Sequence, residues 1–159
     1  MTSPAPTPTR PQDPAAAALY DALAVEHATI YGYGIVSAHS TPNANDLVSQ
    51  ALATHRKRRE AVIAMLSDRS VSPPLSAAGY QLPMTVIDPD GAAALAVRME
   101  QDCATAWRVV LEQAAAGRSG DADRSFAGTA LTESAVLAAR WRQVLRAWPV
   151  TQAFPGGSE

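Results

Sequence analysis

Cysteine occurs once in this chain, at Cys103, lysine once, at Lys57, and aromatic residues make up only 6% of it. The lone cysteine excludes an intrachain disulfide and the usual multi-cysteine zinc and iron–sulfur frameworks. No apolar run approaches the ~18 residues that a membrane helix needs. The opening MTSPAPTPTRPQ carries neither the apolar core of a signal peptide nor a lipidation cysteine. These absences predict a cytoplasmic protein with no membrane partner. A net charge of −2 provides no global positive field to draw it onto nucleic acid or anionic lipid.

What is present is alanine and leucine, within a hydrophobic fraction of 47%. That composition favours packed helices over sheet, whose surfaces prefer β-branched and aromatic residues. At 159 residues the chain suits one domain with one core. Residues 1–12 alternate proline with small polar residues and are expected to be a disordered tail. Asp13 and Pro14 then form an N-cap and first-turn pair that opens helix 1, running to about Ala38. STPNAND breaks the chain before helix 2, about Asn45 to Arg69. Asp88 and Pro89 repeat the start signal for helix 3, which Gly117 is expected to end. Helix 4 should run from about Asp121 to Trp148, stopped by Pro149, with 149–159 a flexible tail.

Apolar periodicity puts one stripe on each helix: Leu19, Leu23, Ile30 and Tyr33; Val48, Leu52, Val62 and Leu66; Leu95, Met99, Ala106 and Val110; Leu137, Trp141, Val144 and Trp148. Short links make helices 1 and 2, and helices 3 and 4, antiparallel neighbours. Between helices 2 and 3 lies SVSPPLSAAGYQLPMTVI, a long connection without helical period. Extended, it reaches up to ~60 Å, enough to cross a ~38 Å bundle of ~25-residue helices. The expected fold is all-α, a bundle of four helices with a long crossover between helices 2 and 3.

The aspartates cluster at helix starts, where carboxylates satisfy free N–H groups. The glutamates do not: Glu26, Glu60, Glu100 and Glu133 fall inside helices, and Glu26 lies on an apolar stripe. Glu26, His55, Glu100 and Glu133 lie near the helix midpoints, so a bundle should bring them to one level. One inward carboxylate per helix is part of what a dimetal centre requires. The same groups can instead be neutralised by an arginine fork from helix 2, where Arg58 and Arg59 both lie close to His55. The stripe through His55 runs on to Arg59, which places Glu26, His55, Arg59, Glu100 and Glu133 in a buried polar network.

With these acids, and with AVEHATIYGYG in helix 1 and AAGYQLPMTVIDPDGAAALA leading into helix 3, the chain resembles the ferritin-like superfamily. More closely it resembles an uncharacterised bacterial ferritin-like four-helix domain family, over roughly residues 14–148. The resemblance implies the ferritin-like fold and assigns no chemistry. Dimetal members of the superfamily carry Glu-x-x-His twice, since i and i+3 project together. Here the third position after each glutamate is Thr29, Ile63, Cys103 and Val136, so both histidines are missing. The expected function is therefore a non-catalytic binding or assembly module with no cofactor. The alternative is an iron- or manganese-dependent oxidoreductase, or a metal-binding protein, with Glu26, His55, Glu100 and Glu133 as a degenerate ligand set.

The run HRKRRE (His55 to Glu60) wraps around its helix at ~100° per residue, giving a solvated face with one buried arginine. Arg140, Arg142 and Arg146 could extend a basic patch, yet nucleic acid is not an expected partner. His27 is expected at the surface or an interface. Gly32 and Gly34, which each cost about 1 kcal/mol of helix stability against alanine, should admit a close neighbour, with Tyr80, Leu82 and Pro83 of the crossover as candidates. The alanine-rich faces suit a homodimer; a protein or small-molecule partner is expected but not identified.

Overall fold

A computed structural model describes residues 7–157. Its helices are α1 (Pro14–His39), α2 (Asn45–Ser67), α3 (Pro89–Gln113) and α4 (Arg118–Leu145), with a 3-10 turn at Pro42–Ala44 before α2. No strand occurs among the described residues. None of the helices is long and apolar enough to cross a membrane.

Caps set the starts of α1 and α3. The Asp13 carboxylate accepts from Ala16 N at 2.9 Å and that of Asp88 from Gly91 N at 2.7 Å, each with proline in the first turn. Two ends differ from the sequence expectation. Helix α3 stops at Gln113, and Gly117, at φ 86°, is the N-cap of α4 instead of the terminus of α3. Helix α4 ends at Leu145 because Arg146 turns left-handed, at φ 54°. Trp148 consequently lies beyond the helix and is 84% exposed, and Val144 is 47% exposed, so neither extends the buried stripe of α4.

Pairings fix the topology. Tyr33 meets Glu100 while Glu26 meets Trp107, so α1 and α3 run antiparallel. Glu26 also meets His55 and Arg58, and Arg58 reaches Glu133 on α4, near Ser134. Phe126 of α4 stacks edge-on against Trp107 of α3, while Trp141 of α4 bonds Tyr33 of α1. The order is up, down, down, up, with the connection 68–88 bringing the chain back along the bundle. Helix α1 packs on α2 and α3, and α3 on α4.

Two apolar clusters fill the ends of the bundle. One gathers Tyr33, Val36, Val48, Leu95 and Trp141; the other Leu19, Leu23, Val62, Leu66 and Trp107. Between them lies a polar layer.

Gly32 is needed where it stands: a Cβ there would lie 2.1 Å from the Met99 sulfur, with Leu82 of the connection also near. Gly34 has nothing within 4 Å and no such reason. Gly34→Ala should therefore stabilise by up to about 1 kcal/mol through helix propensity. Gly32→Ala, which must displace the Met99 thioether, should fall short of it by about 1–3 kcal/mol. Thermal melts of the two variants check this.

Outside the helices, residues 7–12 are irregular but held to α1, Arg10 pairing with Asp21 at 2.7 Å and Tyr20 donating to Pro8 O at 3.1 Å; residues 1–6 of the expected tail lie outside the described residues. At the other end Arg142 donates to Val150 O and Gly156 lies against the backbone of Ala104 on α3. Arg142 is thereby buried and does not join a basic patch.

Candidate functional site

The polar layer is built from long side chains of three helices, α1, α2 and α3. Glu26 on α1, His55 on α2 and Glu100 on α3 are all fully buried. His55 lies between the two acids: Nδ1 is 2.6 Å from Glu26 Oε2, and Nε2 is 2.9 Å from Glu100 Oε1. Glu26 Oε1 accepts from Trp107 Nε1 at 2.8 Å and from Arg58 at 3.3 Å. Glu100 Oε1 also accepts from Tyr33 Oη at 2.6 Å, and Tyr33 in turn accepts from Trp141 Nε1 at 2.9 Å. Buried indole and phenol groups need partners for their N–H and O–H; here Trp107 and Tyr33 find them in the acids, and Trp141 in the Tyr33 phenol.

Electrostatics follow from the geometry. Burial disfavours the imidazolium, but Glu100 and Glu26 on its two sides outweigh it and hold the His55 pKa at about 9. Burial likewise works against the Glu26 carboxylate, yet His55, Arg58 and Trp107 together keep it below the usual range. At neutral pH the layer thus holds His55 as a cation between carboxylates. Buried Cys103 is pushed well up, by burial first and then by the charges of Glu26 and Glu100, so it stays a thiol.

Four expected residues are placed as follows. Glu26, His55 and Glu100 meet at one depth. Glu133 does not join them: its side chain is 47% exposed and it sits at the outer edge, on Arg58. The guanidinium in the layer belongs to Arg58, correcting the assignment to Arg59. Arg58 is buried, whereas Arg59 turns outward to pair with Glu60 at 2.8 Å. One residue is a turn of ~100° on a helix, which is the whole of the difference. His27 also departs from expectation, being buried and bonded to Pro74 O at 3.2 Å, where it ties α1 to the connection.

The apolar stripes place Tyr33 and Trp141 in the core, yet they, Trp107 and Ser134 each bond within the layer. The usable signal was the N–H or O–H of a buried aromatic ring on the same stripe as an acid.

The fit of this layer to a dimetal centre can be tested on its donors. The third positions after Glu26 and Glu100 are Thr29 and Cys103, and these two bond to each other, Oγ1 to Sγ, at 3.2 Å. Both His55 nitrogens are taken by carboxylates, and the fourth acid faces outward. This set does not fit two ions. Ligand atoms of Glu26, His55 and Cys103 do lie within 4.8 Å of one another, and Glu100 Oε2 is buried without a partner.

Beside the layer, α2 and α4 do not close on each other. Between them runs a groove of about 300 Å³ lined by Thr54, Lys57, Arg58, Phe126, Thr129 and Glu133 among small alanines.

Residues 18–159 match the family described as "Domain of unknown function (DUF4439)". The chain is also similar to a solved structure, that of a conserved hypothetical protein, rv2844, from Mycobacterium tuberculosis. The two are 64% identical, with a TM-score of 0.79, over 89% of this chain and 97% of that one. No curated protein matches.

Proposed function

This chain belongs to the DUF4439 family, and we propose on that premise that it is a ferritin-like bundle acting as a non-catalytic binding or assembly module. In this reading its Glu–His–Arg layer takes the place of a dimetal centre. The observation that carries this reading is His55 clamped between Glu26 and Glu100 by both ring nitrogens. Two buried carboxylates are then balanced by the imidazolium and the Arg58 guanidinium without a bound ion. A metal would have to expel the proton from an imidazole whose pKa is about 9, since ligating histidine must be neutral. The Thr29–Cys103 pair and the up, down, down, up order support the same reading. So does the open groove, which gives a binding module a place to bind. For assembly, α4 offers Val136 and Val144, both exposed.

Metal analysis of protein purified without chelator is the test. The expected result is iron and manganese far below one ion per chain, unchanged by His55→Ala. Stoichiometric iron or manganese that disappears in His55→Ala would overturn the proposal.

A second reading, a single bound ion, is favoured by the Glu26, His55 and Cys103 cluster and by the unpartnered Glu100 Oε2. A cobalt(II)–thiolate absorption band, lost in Cys103→Ser, would identify it.

A further inference from the structure

Resting on the binding-module reading, we infer that the groove between α2 and α4 is a site for a small organic monocarboxylate. Its carboxylate takes the Nε and Nη2 edge of Arg58 in place of Glu133, and its apolar body lies along Phe126 and the alanines.

Arg58 faces two ways. Its Nη1 is committed inward, to Glu26 at 3.3 Å and Ser134 Oγ at 2.9 Å. Its Nε and Nη2 edge turns towards Glu133, and both nitrogens share one oxygen, Oε2, at 3.1 and 3.0 Å. That edge is shaped for two carboxylate oxygens in parallel, so Glu133 fills it incompletely. The Arg58 side chain is 4% exposed beneath it, while Glu133 is 47% exposed. Glu133 is thus a half-exposed side chain covering a buried cation, and its carboxylate shows which chemistry that cation accepts.

The rest of the groove narrows the ligand. Thr54 and Thr129 spend their hydroxyl protons on Gln50 O and Ser125 O of their own helices, at 3.0 and 3.1 Å. The donors a ligand can take are the Nε and Nη2 edge of Arg58, once Glu133 leaves it, and exposed Lys57 at the rim. Cationic donors beside apolar walls select an anion with an apolar body, and reject cations and neutral polyols. The volume, about 300 Å³, is at the small end of ligand pockets.

Isothermal titration with benzoate and butyrate tests the site, with benzamide and inorganic phosphate as comparisons. The expected result is saturable binding of one carboxylate per chain and none of the amide. Glu133→Gln, which removes the competing charge, should tighten binding by roughly threefold or more, and Lys57→Gln should weaken it by a similar factor. Ala53→Phe, at an exposed position on the groove wall, should abolish binding without touching a charge. Equal binding of benzoate and benzamide would overturn the inference, as would stronger binding of phosphate. An affinity indifferent to Glu133→Gln, or no saturation in any of these proteins, would also overturn it. A metal-free protein that ignores carboxylates defeats this inference alone. Stoichiometric iron or manganese defeats the reading beneath it as well.

Discussion

Replacing Glu26 by glutamine should lower the free energy of unfolding by about 3–5 kcal/mol, the range found when one member of a buried ion pair is removed. The side chain keeps its volume, so packing is preserved and the loss is electrostatic. Glu26 accepts from His55, Arg58 and Trp107. A glutamine has one acceptor oxygen, and its amide turns donors towards donors. His55 and Arg58 are then left with one buried carboxylate, that of Glu100, and with Glu133 at the rim. Urea denaturation near neutral pH measures the effect. Glu60→Gln is the control, because Glu60 is exposed and its loss should stay within about 0.5 kcal/mol. A Glu26→Gln protein within about 1 kcal/mol of the parent would show that the layer is not a coupled charge network.

Stability should also fall as the solution is made alkaline. The His55 pKa is about 9 in the folded protein against 6.5 for the free side chain. In that window the folded state holds a proton that the unfolded state has released, so rising pH favours unfolding. The stabilisation is fully present below pH 6.5 and is lost as pH rises through about 9, a change of about 3 kcal/mol. Glu26 acts with the opposite sign on the acid side. Its pKa is lowered from 4.5, so its contribution is present above that value and is lost as pH falls through the folded one. The plateau of stability should therefore lie between about pH 4.5 and 6.5. Thermal melts across pH give the profile, and the His55 Cε1 proton resonance gives the titration directly. In Glu26→Gln the alkaline slope should flatten, because one of the two acids holding the imidazolium is gone. A His55 midpoint below 7 would show that the ring is neutral in the folded protein and would remove the imidazolium from the account.

How much of this could be read in advance differs residue by residue. The starts of α1 and α3 were legible because Asp-Pro carries its own mechanism, a capping carboxylate and a fixed φ. The end of α4 was not. Pro149 marks where a helix cannot continue, whereas the helix stops earlier, where Arg146 enters a left-handed conformation that no residue type announces. Leu52, His55, Arg59 and Val62 make an apparent stripe in the sequence, which favours Arg59 over Arg58. The buried stripe instead runs through Ala51, His55, Arg58 and Val62. Alanine is small enough to sit on either side of such a boundary, so in an alanine-rich helix the phase of the inner face is weakly marked. Glu133 lies at the outer edge instead of inside, for the same reason.

Four long helices, the two short links and one long connection that join them, and the acids and imidazole near their middles were all legible along the described chain. Those are local or one-dimensional properties: caps, period and distance along the chain. Packing of the helices settles that His55 spans Glu26 and Glu100, that Arg58 and not its neighbour turns inward, and that α2 and α4 leave a groove. Which face of a helix is buried, and which donor meets which acceptor, depends on rotations of one helix against another. Burial energy sums over whole faces and settles those rotations; no single residue encodes them.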